Sequence, residues 1–248
     1  MAFVVIYDAC VLYPNTLRDL LIRVSLSGFV RARWSDMILD EVDRNIAQDY
    51  GISPAKLQRR RALMNEAIRD CLVTGFEPLM EGLKLPDPDD RHVLAAAIQA
   101  GAQVIVTNNR KDFPPDYLNN WGIERKNADE FIMDLIGLDD RVVYACVQEI
   151  ATSRRRPPQT FEDVLGQLDR SGLTESVAAL RLGPGASSPC GGSKALGHCV
   201  GGSGSSALPW NLSPLPVLAR PCPSRLSAGS QAMRLQALRC RPRQPAWC

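Results

Sequence analysis

The chain has 248 residues, of which 45% are hydrophobic, and a net charge of +2, a length that allows one large domain or two small ones. The near-neutral total hides two dissimilar segments. Residues 1–180 carry 21 Lys and Arg against 27 Asp and Glu, a net of −6, and residues 181–248 carry 8 Lys and Arg and no acid, a net of +8. No basic run precedes an apolar stretch at the start, and nothing approaches the ~20 consecutive apolar residues of a membrane span, so the expectation is a cytoplasmic chain with reduced thiols and no membrane contact.

The elements follow in order. Phe3-Val-Val-Ile-Tyr7 is a continuous apolar run of strand length, suited to a sheet covered on both faces. Leu17, Leu20, Leu21 and Val24 recur at helical spacing. Ser35 is placed as the N-cap of a helix whose Ile38, Val42 and Ile46 form one stripe. Ser53-Pro54 reads as N-cap and first-turn proline of a polar helix reaching Arg69. Val93, Leu94, Ala97 and Ile98 mark another helix, closed by Gly101, and Val104-Ile-Val106 starts the next strand. Asn127 with Glu130 forms a capping-box pattern ahead of Phe131, Leu135 and Ile136, and helical patterns follow around 139–153 and 160–180. Alternating apolar runs and helical stripes predict an α/β fold of βα units around a mostly parallel sheet. The expected organisation is a domain over 1–150, a helical extension over 151–180 and a tail over 181–248.

That tail departs from the grammar of the rest. Gly, Pro and Ser make up 28 of its 68 residues, without a sustained period. Such a composition buries too little apolar surface to offset about 1–2 kcal/mol per residue of backbone ordering entropy, which predicts disorder. The abrupt loss of acids also motivates a second hypothesis, that the segment is a reading-frame artefact; an intact in-frame gene across codon 180 would exclude it. His198 and Cys199 lack the paired cysteine spacing of a zinc site.

Four acids fall where strands end or helices begin. Asp8 follows the first apolar run, and a charge abutting a buried strand is costly unless paired or bound. Asp112 lies just beyond the Val104–Val106 strand, Asp90 at the start of the Val93 helix, and Glu41 on the helix after Ser35. In an open α/β sheet, ligands bind outside the carboxyl ends of the strands, where residues distant in sequence converge. Several carboxylates in one place repel each other unless a cation sits among them. Mg²⁺ and Mn²⁺ prefer such hard oxygen ligands and can activate a water for in-line displacement at a phosphodiester.

These residues also carry a family resemblance. Val4-Val-Ile-Tyr-Asp8, Trp34-Ser-Asp-Met-Ile-Leu-Asp-Glu41, Asp87-Pro-Asp-Asp90-Arg-His-Val-Leu-Ala-Ala-Ala97 and Val106-Thr-Asn-Asn-Arg-Lys-Asp112, in that order, resemble the PIN domain, and within it the VapC-like toxins of toxin–antitoxin pairs. The resemblance implies a Rossmann-like three-layer α/β/α fold and a Mg²⁺- or Mn²⁺-dependent endoribonuclease with RNA as substrate, a cognate antitoxin as partner and a possible homodimer. It further implies that Asp8, Glu41, Asp90 and Asp112 hold the metal, supported by Thr107, Asn109 and Asp87. Cys10 stands where the family often has Asn, and any of Asp87, Asp89 and Asp90 can be the third ligand. Asp40 and Glu41 point about 100° apart on a helix, so one of them faces the site. His92, about 200° around the helix from Asp90, is expected to face elsewhere.

RNA affinity comes largely from Lys and Arg. Arg18 and Arg110 are the expected RNA contacts, and the runs at 59–61 and 154–156 are read as solvated faces or helix ends. A phosphoaspartate phosphatase also begins with a strand-end Asp but needs a second Asp two residues on, where this chain has Cys10. The alternative reading is a catalytically degenerate PIN-like module that binds RNA or protein without cutting.

Overall fold

The computed structural model describes residues 2–185. The tail expected to be disordered or a reading-frame artefact lies, from residue 186 on, outside the described residues.

The core is organised by strand β1, Phe3–Tyr7. Val5, Ile6 and Tyr7 are all 0% exposed, and successive strand residues point to opposite faces, so both faces of the sheet must be covered. β1 pairs in parallel with β2 (Val30–Arg33) and β3 (Val104–Val106), and β3 pairs in parallel with β4 (Glu124–Lys126), giving the order β2-β1-β3-β4. Because every strand runs the same way, all four carboxyl ends open onto one edge.

The helices that matter for that edge are α1 (Ala9–Leu12), α2 (Asn15–Leu26), α3 (Asp36–Tyr50), α4 (Pro54–Ala67), α5 (Glu77–Met80), α6 (Arg91–Gln99) and α7 (Pro115–Asn119). α8 (Ala128–Ser153), α9 (Phe161–Arg170) and α10 (Thr174–Leu182) complete the helical layers. On one face α6 packs on β1 and β3 and meets α3. On the other, the Tyr7 ring stands edge-on to Phe131 of α8, centroids 5.9 Å apart, and its hydroxyl lies 2.9 Å from Ser25 Oγ of α2. The result is three layers, α/β/α, around an entirely parallel sheet. Fully buried Leu20, Leu21, Ile38 and Leu94 each contribute about 1.5–3 kcal/mol through burial.

Local chemistry sets most boundaries. The Ser35 hydroxyl accepts from Ile38 N at 3.2 Å, and Asn127 and Glu130 close a reciprocal capping box. Ser53 makes no side-chain cap bond, and its helix stops at Ala67, two residues short of Arg69, because Ile68 turns extended and Asp70 takes φ +55°. The 139–153 pattern is the second half of α8, which kinks at Asp139. The 160–180 pattern is two helices, divided at Gly172, whose φ of +92° suits a residue without Cβ. β2 and β4 are edge strands of sequence VRAR and ERK, too polar to stand out as apolar runs.

The arginine runs divide: Arg59, Arg155 and Arg156 are exposed and Arg154 stands at the end of α8, as expected, while three of their members are engaged in ion pairs. Arg60 and Arg61 bridge α4 to Asp43 and Asp40 of α3. Arg154 is buried, with its guanidinium 3.1 Å from Asp19, which also pairs with Arg23 at 2.9 Å. Among the described residues no helix is long and apolar enough to cross a membrane.

Candidate metal centre at the strand ends

Asp8 leaves the carboxyl end of β1 and caps α1. It is 2% exposed, and three neutral donors hold it: Ala9 N at 2.6 Å on Oδ1, and the Thr107 hydroxyl at 2.6 Å and Cys10 thiol at 3.1 Å on Oδ2. The position in which Cys10 replaces the family's Asn thus retains a donor to Asp8. Burial and the adjacent Asp8 charge push the Cys10 thiol well up, so it stays protonated and able to donate. Asn108 N donates to the Cys10 sulfur at 3.2 Å, which ties the loop after β3 to α1.

Thr107, fully buried, sits one residue beyond β3 and also accepts from Asn109 N at 2.9 Å. That bond turns the loop so that Asn109 Nδ2 reaches Asp90 Oδ2 at 2.9 Å. Asp90, 8% exposed, is the last residue of a 3-10 turn, Pro88–Asp90, that leads into α6. Asp87 caps this turn by accepting from Asp89 N at 2.9 Å.

Carboxylate oxygens of Asp87, Asp90 and Asp112 lie within 4.8 Å of one another. Of the three crowded acids of the 87–90 segment, the structure brings Asp87 and Asp90 to this trio and leaves Asp89 outside it. Asp8 and Glu41 act on the same centre through space. Asp90 is pushed up to about 8, first by burial, then by Asp8, Asp112, Asp87 and Glu41, all negative. Glu41 is pushed up to about 7 by burial and by Asp8, with Arg44 opposing and Asp89 and Asp87 adding to the rise. Asp40 turns away to Arg61, so Glu41 is the member of that pair on the site side.

Two expectations change here. Arg18, expected to touch RNA, is 3% exposed. Its guanidinium donates to Leu12 O at 2.8 Å, Tyr13 O at 3.2 Å and Asn15 Oδ1 at 2.6 Å. It closes the end of α1, where carbonyls lack helical partners. Arg110 is exposed and bonded to Glu130 at 3.0 Å. His92, expected to face away, lies against the centre: its Nε2 is 3.8 Å from Glu41 Oε2. The 100°-per-residue arithmetic fails because Asp90 belongs to the 3-10 turn and not to α6. Arg44, exposed on α3 beside Glu41, carried no signal separating it from an ordinary helix-surface residue.

The donor set suits a hard divalent cation. With Asp8 and Glu41 it offers carboxylate oxygens from four segments, partly desolvated and mutually repelling, which is the arrangement such an ion relieves.

Comparison with known proteins agrees with the architecture. Residues 4–111 match the PIN domain, and residues 128–182, which hold α8 to α10, match the VapC50 C-terminal domain. Over 95 residues, 38% of this chain, the sequence is 36% identical to "Putative ribonuclease VapC50" of Mycobacterium tuberculosis (strain ATCC 25618 / H37Rv). The chain spans 56% of the length of that relative. No solved structure matches the chain significantly. With its parallel sheet, its acids at the strand ends and these two matched regions, the chain carries a PIN domain followed by a VapC50-type C-terminal domain.

Proposed function

We propose that the protein is a divalent-metal-dependent endoribonuclease, the toxin of a toxin–antitoxin pair, with a cognate antitoxin protein as its partner. The observation that carries this reading is the carboxylate trio of Asp87, Asp90 and Asp112, with Asp8 and Glu41 adding negative charge at Asp90. The ribonuclease designation of the matched relative supports RNA as the substrate.

Asp87, Asp90 and Asp112 would hold the ion, with Asp8 and Glu41 facing it, and Mg²⁺ or Mn²⁺ fits the all-oxygen trio. When bound, such an ion supplies charge neutralisation and a more acidic water. The chain's own part is preorganisation. Thr107 and Cys10 fix the Asp8 carboxylate, and Asn109 fixes that of Asp90, so that neither must reorient as charge develops on a phosphodiester. Asp90 and Glu41, pushed up by burial and by their acidic neighbours in the metal-free protein, would be ionised by the bound cation. Arg110 and Arg44, exposed near the centre, are the cations offered to RNA phosphates.

The test is incubation of the full chain with a structured RNA pool, with and without Mn²⁺ or Mg²⁺, beside Asp8→Asn. Discrete fragments are expected only with metal and only from the parent protein. Folded protein that binds RNA and never cuts it would favour the binding-module reading.

A further inference from the structure

Asp87, Asp90 and Asp112 come from two separate stretches of chain, and something must hold the spacing between them. Asp112 is well supported from its own side. Fully buried Phe113 follows it, and α7 begins three residues on, with the Tyr117 and Leu118 amides bonded to Pro114 O at 3.1 and 3.2 Å. Asp90 is held by the turn into α6 and, across the gap, by Asn109 Nδ2. Asp87 differs from both. It is exposed, and it ends a stretch, residues 81–87, that belongs to no helix or strand. Its carboxylate bond to Asp89 N is local and does not locate it relative to Asp112.

Two kinds of contact place this stretch. Leu83 and Leu85, 3% and 7% exposed, anchor it on the core, but apolar burial is non-directional and does not fix a position to a fraction of an ångström. The directional contact comes from the residue between them. Lys84 N donates to the Tyr117 hydroxyl at 3.0 Å. Tyr117 is partly buried against the core and lies on α7, five residues past Asp112; Lys84 lies three residues before Asp87. Among the described residues, this bond and the one from Asn109 to Asp90 are the side-chain hydrogen bonds that join the 81–90 stretch to the 107–119 stretch.

We infer that Tyr117 is a positioning residue of the metal centre: through its hydroxyl on Lys84 N it holds Asp87 at its distance from Asp112, and so suits the trio to a small ion with strict geometry. Mg²⁺ demands a near-ideal octahedron, whereas Ca²⁺ accepts longer and more variable contacts. Loosening Asp87 therefore costs Mg²⁺ more than Ca²⁺. The inference rests on the reading of the trio as a metal centre.

The full chain is titrated calorimetrically with Mg²⁺ and with Ca²⁺, as the parent protein, as Tyr117→Phe and as Tyr144→Phe, the last a tyrosine that packs on Phe161. Phenylalanine keeps the ring and removes the hydroxyl. In Tyr117→Phe, Mg²⁺ affinity is expected to fall about fivefold, the net worth of about one hydrogen bond. Ca²⁺ affinity changes less than about twofold, and Tyr144→Phe matches the parent protein for both ions. Unchanged Mg²⁺ affinity in Tyr117→Phe, or equal losses for the two ions, overturns the role of Tyr117 and leaves the carboxylate centre standing. No specific binding of either ion by the parent protein would remove the metal centre and the role of Tyr117 together. Amide hydrogen exchange in the parent protein decides even if Tyr117→Phe does not fold. Lys84 is exposed, so its amide exchanges freely unless the hydroxyl holds it; protection is expected, and free exchange overturns the inference.

Discussion

Two buried polar clusters sit in this molecule, and they are built on opposite plans. In the first, Asp19 of α2 is held by Arg23 of its own helix and by Arg154 at the end of α8. In the second, Asp90 has Asp8, Asp112, Asp87 and Glu41 for neighbours, and neutral groups such as Thr107, Cys10 and Asn109 supply the hydrogen bonds. A balanced cluster fastens one element to another. An unbalanced one costs stability in the absence of a cation, and that is the mark of a site arranged for something other than holding the fold.

The contrast can be broken first at the balanced end. Arg154→Met takes one of two buried partners from Asp19, leaving Arg23, and is expected to lower stability by about 1–3 kcal/mol, read by urea denaturation, with Mn²⁺ affinity of the folded protein unchanged. The unbalanced end should answer in reverse. Asp8→Asn is expected to fold and to lose at least about 10²-fold in RNA cleavage, the scale of removing one preorganised group; cleavage at parental rate would show that the centre is not catalytic.

The pH response sharpens the distinction. Folded Asp90 has its pKa near 8 and Glu41 near 7, against ordinary values of 3.8 and 4.5. Between these limits the folded state binds more protons than the unfolded one, so stability falls as pH rises. Metal-free protein is therefore expected to lose stability through this centre as pH rises from 4 to 8, and Asp90→Asn flattens the decline. Thermal melts across that range, with and without Mn²⁺, measure both, and a melting temperature that climbs throughout in metal-free protein would count against the shifts.

Smaller effects probe the supporting groups. Thr107→Val removes a donor from Asp8 and an acceptor from Asn109 N, and is expected to cost about 1–3 kcal/mol of stability, measured by denaturation. Arg110→Ala should weaken RNA binding modestly and reduce the slope of log affinity against log salt by about 1, as expected of a single phosphate contact.

How much of this was legible in the sequence depends on the kind of signal. β1 stood out because a strand covered on both faces is apolar throughout, and Asp8 stood out because it breaks that run. The Ser35 and Asn127 caps were visible because capping is local chemistry. β2 and β4 were hidden by their place at the edges of the sheet, where alternating or polar residues suffice. Arg18 misled because a charged residue between Leu17 and Leu20 looks solvated, and only the fold shows carbonyls of α1 within its reach. His92 misled for a different reason: one 3-10 turn at Pro88–Asp90 changes the angle between Asp90 and everything after it. The cluster at 87–90 could be resolved into Asp87 and Asp90 by coordinates alone, since three acids in four residues look alike in sequence.

The most direct test of the central claim is a calorimetric titration of the full chain with Mn²⁺ at pH 7.5, for the parent protein, Asp90→Asn and Arg154→Met. The account predicts specific binding in the parent protein and in folded Arg154→Met, with loss of binding in Asp90→Asn. Equal binding by the parent protein and Asp90→Asn, or none by either, would contradict the claim that the unbalanced cluster is built around a cation.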